Sequence, residues 1–419
     1  MKVIKLGNGL RVALKHQPSA KSASVNVMVR SGNANESRDV MGISHFIEHI
    51  VFKGTTSRSQ QEIYERSDLM GGTLNAFTSK EYTCFYARVL DYRAAEILDI
   101  ICDMVASPAL KNEDIESEKG VVLEEIGMYE DSPEELAADM QTELAWQESP
   151  LSFNILGTRE TVKGLNAEKL KSFMSEFYVP ERMVVSICGK FDRDEILGVI
   201  EKRLGVLRNH GNPPKICAPR FNGGVCVRQK EIEQTHISYA FKGVGLDDNE
   251  RYAAAVYSSL VGGGSASPLN FKIREELGLA YSVYSFHTAY TGCGMFGVGA
   301  ALSAENQEKF LRESSEIIKS SRENIDENAL YRVKEQIKSA LVMSDDSVSG
   351  IASSIGRQLL LTDKYVDAEK TAAIIDSLTA SDIKKTAQKI TDGKNIAVSV
   401  VGSPKEPEFY RNVLNELFV

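Results

Sequence analysis

Several absences narrow the class of protein before any motif is considered. No run of 18 apolar residues occurs in the 419-residue chain, so no segment is predicted to span a membrane. Acidic side chains outnumber basic ones and give a net charge of −9 at pH 7, which argues against nucleic-acid binding, since that requires a basic surface. The six cysteines are scattered, and no two form a C-x-x-C pair. We therefore expect reduced thiols in a cytoplasmic protein.

The first residues also lack the apolar segment and cleavage site of a secretory signal. The sequence “MKVIKLGNGLRVALKH” (1–16) instead predicts a β-hairpin, with two strands joined by the “GNG” turn. The shares of hydrophobic residues (42%) and charged residues (26%) are typical of a globular protein. Nothing in this composition suggests a fibrous or membrane-embedded chain.

The length of the chain exceeds that of one ordinary hydrophobic core, which predicts more than one domain. The segment “RNHGNPPKICAPRFNGGV” (208–225) contains three prolines and three glycines and shows no helical periodicity. We interpret it as a linker. The predicted domains are therefore residues 1–207 and residues 226–419.

The two halves repeat one pattern. A short apolar strand runs into a glycine and a charged turn near the end of each half, at Met183–Cys188 and at Ile396–Val401. Alternating strands, “ASVNVMVRSG” and “THISYAFKGVG”, occur earlier in each half, and long helical stretches follow them. This pattern predicts an α+β fold with two homologous sandwich domains, each a mostly antiparallel sheet packed by helices.

The sequence has only six histidines, and two of them stand four residues apart in “HFIEH” (45–49). A helix is predicted from about Val40–Gly42 to Lys53–Gly54, ending in a left-handed glycine cap. On it, His45 and His49 share one face, at the spacing that lets two imidazoles bind one zinc ion. Glu48 is rotated by about 100° from His49, where a general base would lie.

The alternative interpretation is a pair of histidines packed by chance. Burying two imidazoles and a carboxylate without a metal or a partner would be costly, however. H-x-x-E-H is also the inverted form of a zinc-peptidase motif. The sequence therefore favours a zinc site.

A catalytic zinc needs a third protein ligand, and a helix predicted over 112–131 with Asn112 as its cap offers candidates. Glu118 and Glu125 are seven residues apart and fall on one face, whereas Glu124 points elsewhere. A solvated acidic helix is the alternative for most of these carboxylates. Spacing alone does not choose the ligand among Glu118, Glu124 and Glu125.

Together these residues resemble the pitrilysin/insulinase family of zinc metallopeptidases with the inverted motif. The likeness is greatest to the group that includes the mitochondrial processing peptidase and its bacterial relatives. It extends over nearly the whole chain and includes “HFIEH” (45–49), “LNAFTSKEYTCFY” (74–86), “EKGVVLEEI” (118–126), “GGGSASPLN” (262–270) and “IREELGLAYSVYS” (273–285).

The resemblance implies an endopeptidase that hydrolyses peptides or unfolded segments. His45, His49 and Glu125 would bind Zn²⁺, and Glu48 would be the base that activates the attacking water. Glu118 would orient a ligand histidine without binding the metal itself.

The resemblance also implies substrate contacts. Asn75 and Ala76 would lie on an edge strand that pairs with the peptide backbone. Arg274 and Tyr281 would contact the substrate near the scissile bond. Without the family, Asn75 reads as a turn residue, Ala76 as a small strand residue, Arg274 as a helix-surface cation and Tyr281 as a core aromatic.

Double-length members of the family enclose a chamber with four such domains, whereas this chain supplies two. A homodimer, or alternatively a heterodimer, is therefore expected. The rival interpretations are a non-catalytic partner subunit of a processing-peptidase-like complex and a metal-binding module without hydrolysis. “GGGSAS” lacks the lysine of a phosphate loop and reads as a flexible turn. The remaining histidines (His16, His210, His236 and His287) fit no ligand spacing and are expected to be structural.

Overall fold

The computed structural model describes residues 1–147, 149–209 and 218–418. Its contacts divide the chain into two compact units. The first contains the described residues of 1–127, 153–216 and 343–366, and the second contains those of 128–152, 217–342 and 367–419. Each unit therefore includes one segment from the other half of the sequence. These exchanged segments are 343–366 in the first unit and the described residues of 128–152 in the second. In them the units differ from the predicted ranges 1–207 and 226–419.

Strands and helices are interspersed along the chain without a regular alternation. The strands are β1 (Lys2–Lys5), β2 (Arg11–His16), β3 (Ser22–Val29), β4 (Thr73–Thr78), β5 (Thr83–Leu90), β6 (Met183–Gly189), β7 (Gly224–Gln229), β8 (Thr235–Lys242), β9 (Ala280–Tyr290), β10 (Cys293–Leu302) and β11 (Ile396–Gly402). The helices are α1 (Ile43–Ile50), α2 (Gln60–Met70), α3 (Ala94–Ala106), α4 (Asn112–Asp131), α5 (Pro133–Ala145), α6 (Arg159–Lys163), α7 (Ala167–Phe177), α8 (Arg193–Arg203), α9 (Arg251–Gly262), α10 (Gln307–Glu323), α11 (Glu327–Asp345), α12 (Val348–Thr362), α13 (Ala368–Ser377), α14 (Ala380–Ile390) and α15 (Pro407–Phe418).

The five-stranded sheet of the second unit has the topology of the first sheet without its edge strand β1. The strand order is β1-β2-β6-β3-β5-β4 in the first and β7-β11-β8-β10-β9 in the second. In each sheet one pair is parallel, β2 with β6 and β7 with β11. The other pairs found among the described residues are antiparallel. The predicted α+β fold with two mostly antiparallel sheets is confirmed.

The repeated strand endings are confirmed as well. The strands β6 and β11 each end in a glycine, Gly189 and Gly402, with φ of +124° and +129°. A side chain is strained at such angles, so both halves need glycine where the chain leaves the central strand. The N-terminal hairpin is also confirmed, with Lys2 opposite Leu14 and Lys5 opposite Arg11.

The helices of the two exchanged segments, α12 in the first unit and α5 in the second, cover the second face of each sheet. The strand β3 is buried along nearly its whole length, so helices on one face alone would leave its other face exposed. In the first unit α12 covers that face, where Ile351, Ala352 and Ile355 join Met28 and Val184 in a buried cluster. In the second unit α5 packs against β8 and β11 in the same way.

Several predictions concern connecting segments. Residues 210–217 of the predicted linker, with His210 and Cys217, lie outside the described residues. The strand β7 already begins at Gly224, within the predicted linker. “GGGSAS” begins with Gly262, the last residue of α9, and its other residues form the turn that follows, before a π-helix at Asn270–Glu276. No described helix is both long and apolar enough to cross a bilayer.

Candidate active site

The helix α1 presents the histidine pair from a rigid position in the first unit. Its apolar residues, among them Phe46 and Ile47, are fully buried in the core of that unit. Gly42 precedes the helix with φ +88°, and a Cβ there would stand 2.5 Å from the carbonyl oxygen of Leu156. Only glycine therefore fits this entry to the helix.

The end of this helix differs from the prediction. A short 3-10 turn, Val51–Lys53, continues α1, and Gly54 follows with φ 127° and ψ 168°. This is an extended conformation of positive φ, and the predicted left-handed helical cap is wrong. The reason is local pairing, since Gly54 bridges to Ser59 and its carbonyl accepts a hydrogen bond from the amide of Ala109 at 3.0 Å.

Glu36 anchors the beginning of α1, although no residue spacing pointed to it. Its side chain is buried, and its two carboxylate oxygens accept hydrogen bonds from the backbone amides of Gly42 at 2.7 Å and Ser44 at 2.9 Å. These amides belong to the helix entry and its first turn, whose N–H groups have no partner within the helix. Burial raises the pKa of Glu36 to about 7, although the hydrogen bonds from Ser44 and Gly42 oppose the shift.

We expect Glu36→Gln to remove a pH dependence of stability. Between about 4.5 and about 7 the folded protein keeps a proton on Glu36 that the unfolded chain releases, so wild-type stability falls as pH rises through this window. The full change is on the order of 3 kcal/mol. Unfolding from pH 4.5 to 8 should therefore show wild type losing stability relative to the variant, whose side-chain amide does not titrate, as pH rises. A pH-independent difference, or the same trend in the exposed control Glu201→Gln, would contradict this expectation.

Three predicted ligands converge beside α1. The Nε2 atoms of His45 and His49 lie 3.6 and 3.4 Å from Oε2 of Glu125. One ligand atom from each residue lies within 4.8 Å of the others, and these three residues form the one such group found among residues 1–147, 149–209 and 218–418. Tetrahedral zinc with bonds of roughly 2.0–2.1 Å separates its ligand atoms by about 3.3 Å. The donor set and its spacing therefore fit zinc.

The geometry separates the three glutamates that spacing alone left open. Helix α4 spans the predicted range, with Asn112 as its first residue. Glu125 faces both histidines, whereas Glu124 is exposed. Glu118 is buried, and its Oε1 lies 2.9 Å from Nδ1 of His49. A carboxylate on Nδ1 fixes the imidazole tautomer and leaves Nε2 to face a metal.

Lys53 completes this arrangement, since its Nζ lies 2.6 Å from Oε2 of Glu118. Burial would raise the pKa of Glu118, but the hydrogen bond from His49 and the contact with Lys53 outweigh it and keep that pKa below its usual value. His45 has no comparable support, because its Nδ1 is buried without a hydrogen-bond partner among the described residues. The two ligand histidines are thus held differently.

The two imidazoles also differ in charge. Burial, with the nearby His49, lowers the pKa of His45 to about 4. Burial also opposes protonation of His49, but its hydrogen bonds with Glu118 and Glu125 outweigh that effect and raise its pKa to about 9. Near neutral pH a binding metal must displace the proton of His49, so metal affinity weakens as pH falls.

Glu48 lies beside the histidines but outside the ligand group. Its Oε2 accepts a hydrogen bond of 2.6 Å from the hydroxyl of Thr78 on β4. Burial raises the pKa of Glu48, and the hydrogen bond from Thr78 partly offsets this rise. A carboxylate of raised pKa next to a metal site is suited to accept a proton from water.

The strand β4 forms an edge of the first sheet, where it pairs with β5. Asn75 is exposed on it and Ala76 is buried. A cavity of about 330 Å³ lies beside this strand and His49, lined in part by Phe52, Tyr64 and Leu74. Sequence reasoning missed the cavity, because its walls come from separate elements.

Arg274 and Tyr281 lie in the second unit. Arg274 lies on the π-helix, a rare conformation that is frequent at functional sites. Tyr281 is 75% exposed on β9, so it is not a core aromatic. The guanidinium of Arg274 stands 5.9 Å from the ring centroid of Tyr281, which brings these two residues together.

The other histidines of the described chain lie outside the ligand group. The ring of His16 packs edge-on against Phe191 at 5.5 Å. His236 and His287 lie on strands β8 and β9, where burial lowers the pKa of each. His210 lies outside the described residues.

Two family models and a curated relative match this chain. Residues 11–159 match the family model described as Insulinase (Peptidase family M16), and residues 164–337 match Peptidase M16 inactive domain. A Bacillus subtilis protein described as an uncharacterized zinc protease is 35% identical over 90% of this chain and 92% of its own length.

Two solved structures share the fold. One is a protease from Helicobacter pylori, with a TM-score of 0.88 and 20% identity over 96% of this chain and 99% of that chain. The other is a chain of Complex III2 from Candida albicans, with a TM-score of 0.85 and 21% identity over 99% of both chains.

Proposed function

The chain belongs to the insulinase family of peptidases, M16, and we propose that it is a zinc-dependent endopeptidase acting on peptides or unfolded segments. The observation that carries this proposal is the convergence of His45, His49 and Glu125, with Glu48 beside them. Relatives named zinc proteases support it. A cytoplasmic location is part of the same proposal.

The proposed mechanism assigns each step to residues of this chain. Zinc, held by His45, His49 and Glu125, would supply Lewis acidity by lowering the pKa of water and polarising the scissile carbonyl. Glu48 takes the proton of the attacking water and returns it to the leaving nitrogen. Glu118 keeps His49 in the tautomer that presents Nε2.

Substrate binding is proposed to use the edge of β4. An extended peptide would hydrogen-bond to the backbone at Asn75 and Ala76, and one of its side chains would enter the adjacent 330 Å³ cavity. The guanidinium of Arg274 and the hydroxyl of Tyr281 would stabilise the developing oxyanion.

The proposal is tested by measuring zinc per chain together with cleavage of a quenched-fluorescent peptide library. Bound zinc, cleavage, and loss of cleavage on chelation that added zinc reverses are expected. A protein that binds no zinc, or that cleaves equally well without it, would refute the proposal.

We also propose that the working enzyme is a homodimer whose site combines His45 of one copy with Arg274 and Tyr281 of the other. His45→Ala and Arg274→Ala should each be nearly inactive alone. After subunit exchange in an equal mixture, half the dimers are mixed and each holds one complete site, so about a quarter of wild-type activity should return. Native mass spectrometry checks that mixed dimers form. Mixed dimers without activity would contradict a shared site.

The rival candidate is a non-catalytic partner or structural subunit of a processing-peptidase-like complex, and a heterodimer is the alternative to the homodimer proposed above. The shared fold with a chain of Complex III2 is the observation that favours this candidate. Zinc binding without cleavage of any library peptide would support this rival.

A further inference from the structure

A row of hydroxyl groups connects Glu48 with the interior of the first sheet. Thr78 is the last residue of β4, and in the strand register it stands opposite Thr83, the first residue of β5. The two hydroxyl oxygens are 3.3 Å apart. The hydroxyl of Thr83 is buried and lies 2.8 Å from the carbonyl oxygen of Ser31. The row therefore runs from the carboxylate of Glu48 through two threonines to a backbone carbonyl.

The number of available protons decides which of these contacts are hydrogen bonds. Each threonine hydroxyl has one proton, and an ionised carboxylate has none. The carbonyl of Ser31 is the nearer acceptor for Thr83, at 2.8 Å against 3.3 Å to Thr78. Thr78 therefore donates its proton to Oε2 of Glu48, at 2.6 Å. With Thr83 donating to Ser31 and Thr78 donating to Glu48, no proton is left for the 3.3 Å contact between the two hydroxyl oxygens. A short hydrogen bond to a charged acceptor is one of the stronger kinds in proteins.

Thr78 is also a rigid donor. Its β-branched side chain has few rotamers, and its backbone is fixed by pairing with β5. The strand β4 packs against α1, the helix that carries Glu48. A hydroxyl held by one element thus fixes a carboxylate held by another.

Resting on the proposed peptidase function, we propose that Thr78 is a positioning residue for Glu48. Its hydroxyl holds the carboxylate in the single orientation that meets the attacking water, while Thr78 itself touches neither metal nor substrate. A base held in place lowers the barrier of the proton-transfer step and leaves substrate binding unchanged. Loss of the Thr78 hydroxyl should therefore lower kcat and leave KM nearly unchanged.

The test compares Thr78→Val, which keeps the shape and removes the donor, with Thr78→Ser, which keeps the donor. Thr73→Val is the matched control, because Thr73 is exposed on the same strand. Crystal structures report the orientation of Glu48, kinetics separate kcat from KM, and zinc content reports the integrity of the site. Thr78→Val should move or disorder the Glu48 carboxylate and lower kcat about tenfold or more, with KM within about threefold. Thr78→Ser and Thr73→Val should stay near wild type, with zinc unchanged in all.

A Glu48 carboxylate that keeps its place in Thr78→Val would overturn the proposal, whatever the activity. Equal loss of kcat in Thr78→Val and Thr78→Ser would also overturn it, because the cause would then be packing. If wild type itself cleaves nothing, the proposed peptidase function fails. The crystal structures would still decide whether Thr78 positions Glu48.

Discussion

Glu48→Gln is expected to abolish most cleavage while leaving zinc in place. General bases contribute about 100- to 10,000-fold to the rate, so kcat should decrease by a factor within that range. Glutamine has nearly the shape of glutamate, and its carbonyl oxygen can still accept the hydrogen bond from Thr78. It cannot take a proton from water, however. Because Glu48 is outside the ligand group, zinc per chain should match wild type.

The measurement is kcat on one library-derived peptide, with zinc content of the same samples. Glu65→Gln, an exposed glutamate on α2, is the matched control and should behave as wild type. Full cleavage by Glu48→Gln would assign the base to another residue. Loss of zinc together with cleavage would make Glu48 part of the metal site instead.

Glu125→Ala is expected to cause the largest loss of metal. Among the residues that the structure describes, Glu125 alone places a carboxylate oxygen against both histidines, so its removal takes away a ligand atom and its negative charge. Loss of a residue that only orients a ligand costs about 10- to 100-fold in metal affinity, and loss of a ligand should cost more. Cleavage should disappear at zinc concentrations that saturate wild type.

Glu124→Ala is the control, since it removes the adjacent, exposed carboxylate from the same helix. Competition with a chelator of known affinity measures zinc binding in both variants. Equal losses would show that the acidity of α4, and not the geometry of Glu125, attracts the metal. Unchanged affinity in Glu125→Ala would require a different third ligand.

Local sequence predicted much of the fold, because local rules decide it. The N-terminal hairpin, the strand endings at Gly189 and Gly402, and the helix over 112–131 all follow from side-chain periodicity and glycine. The shared face of His45 and His49 follows from the helical repeat. These features need no knowledge of distant contacts.

What local sequence did not predict depends on contacts that side-chain periodicity does not encode. Glu36 meets α1 through backbone amides, which have no side-chain signature. The choice between Glu118 and Glu125 depends on where α4 lies against α1, and helical spacing leaves both possible. The conformation of Gly54 depends on pairing with Ser59 and Ala109. In each case tertiary contacts decided between options that were locally equal.

The exchange of α5 and α12 has a consequence for synthesis on the ribosome. The strands of the first sheet are complete once Gly189 has emerged, but its cover, α12, ends at Thr362. At 5–20 residues per second, roughly 9 to 35 seconds pass between these two events. During that time one apolar face of the nascent sheet has no cover from its own chain, which is the condition under which chaperones bind.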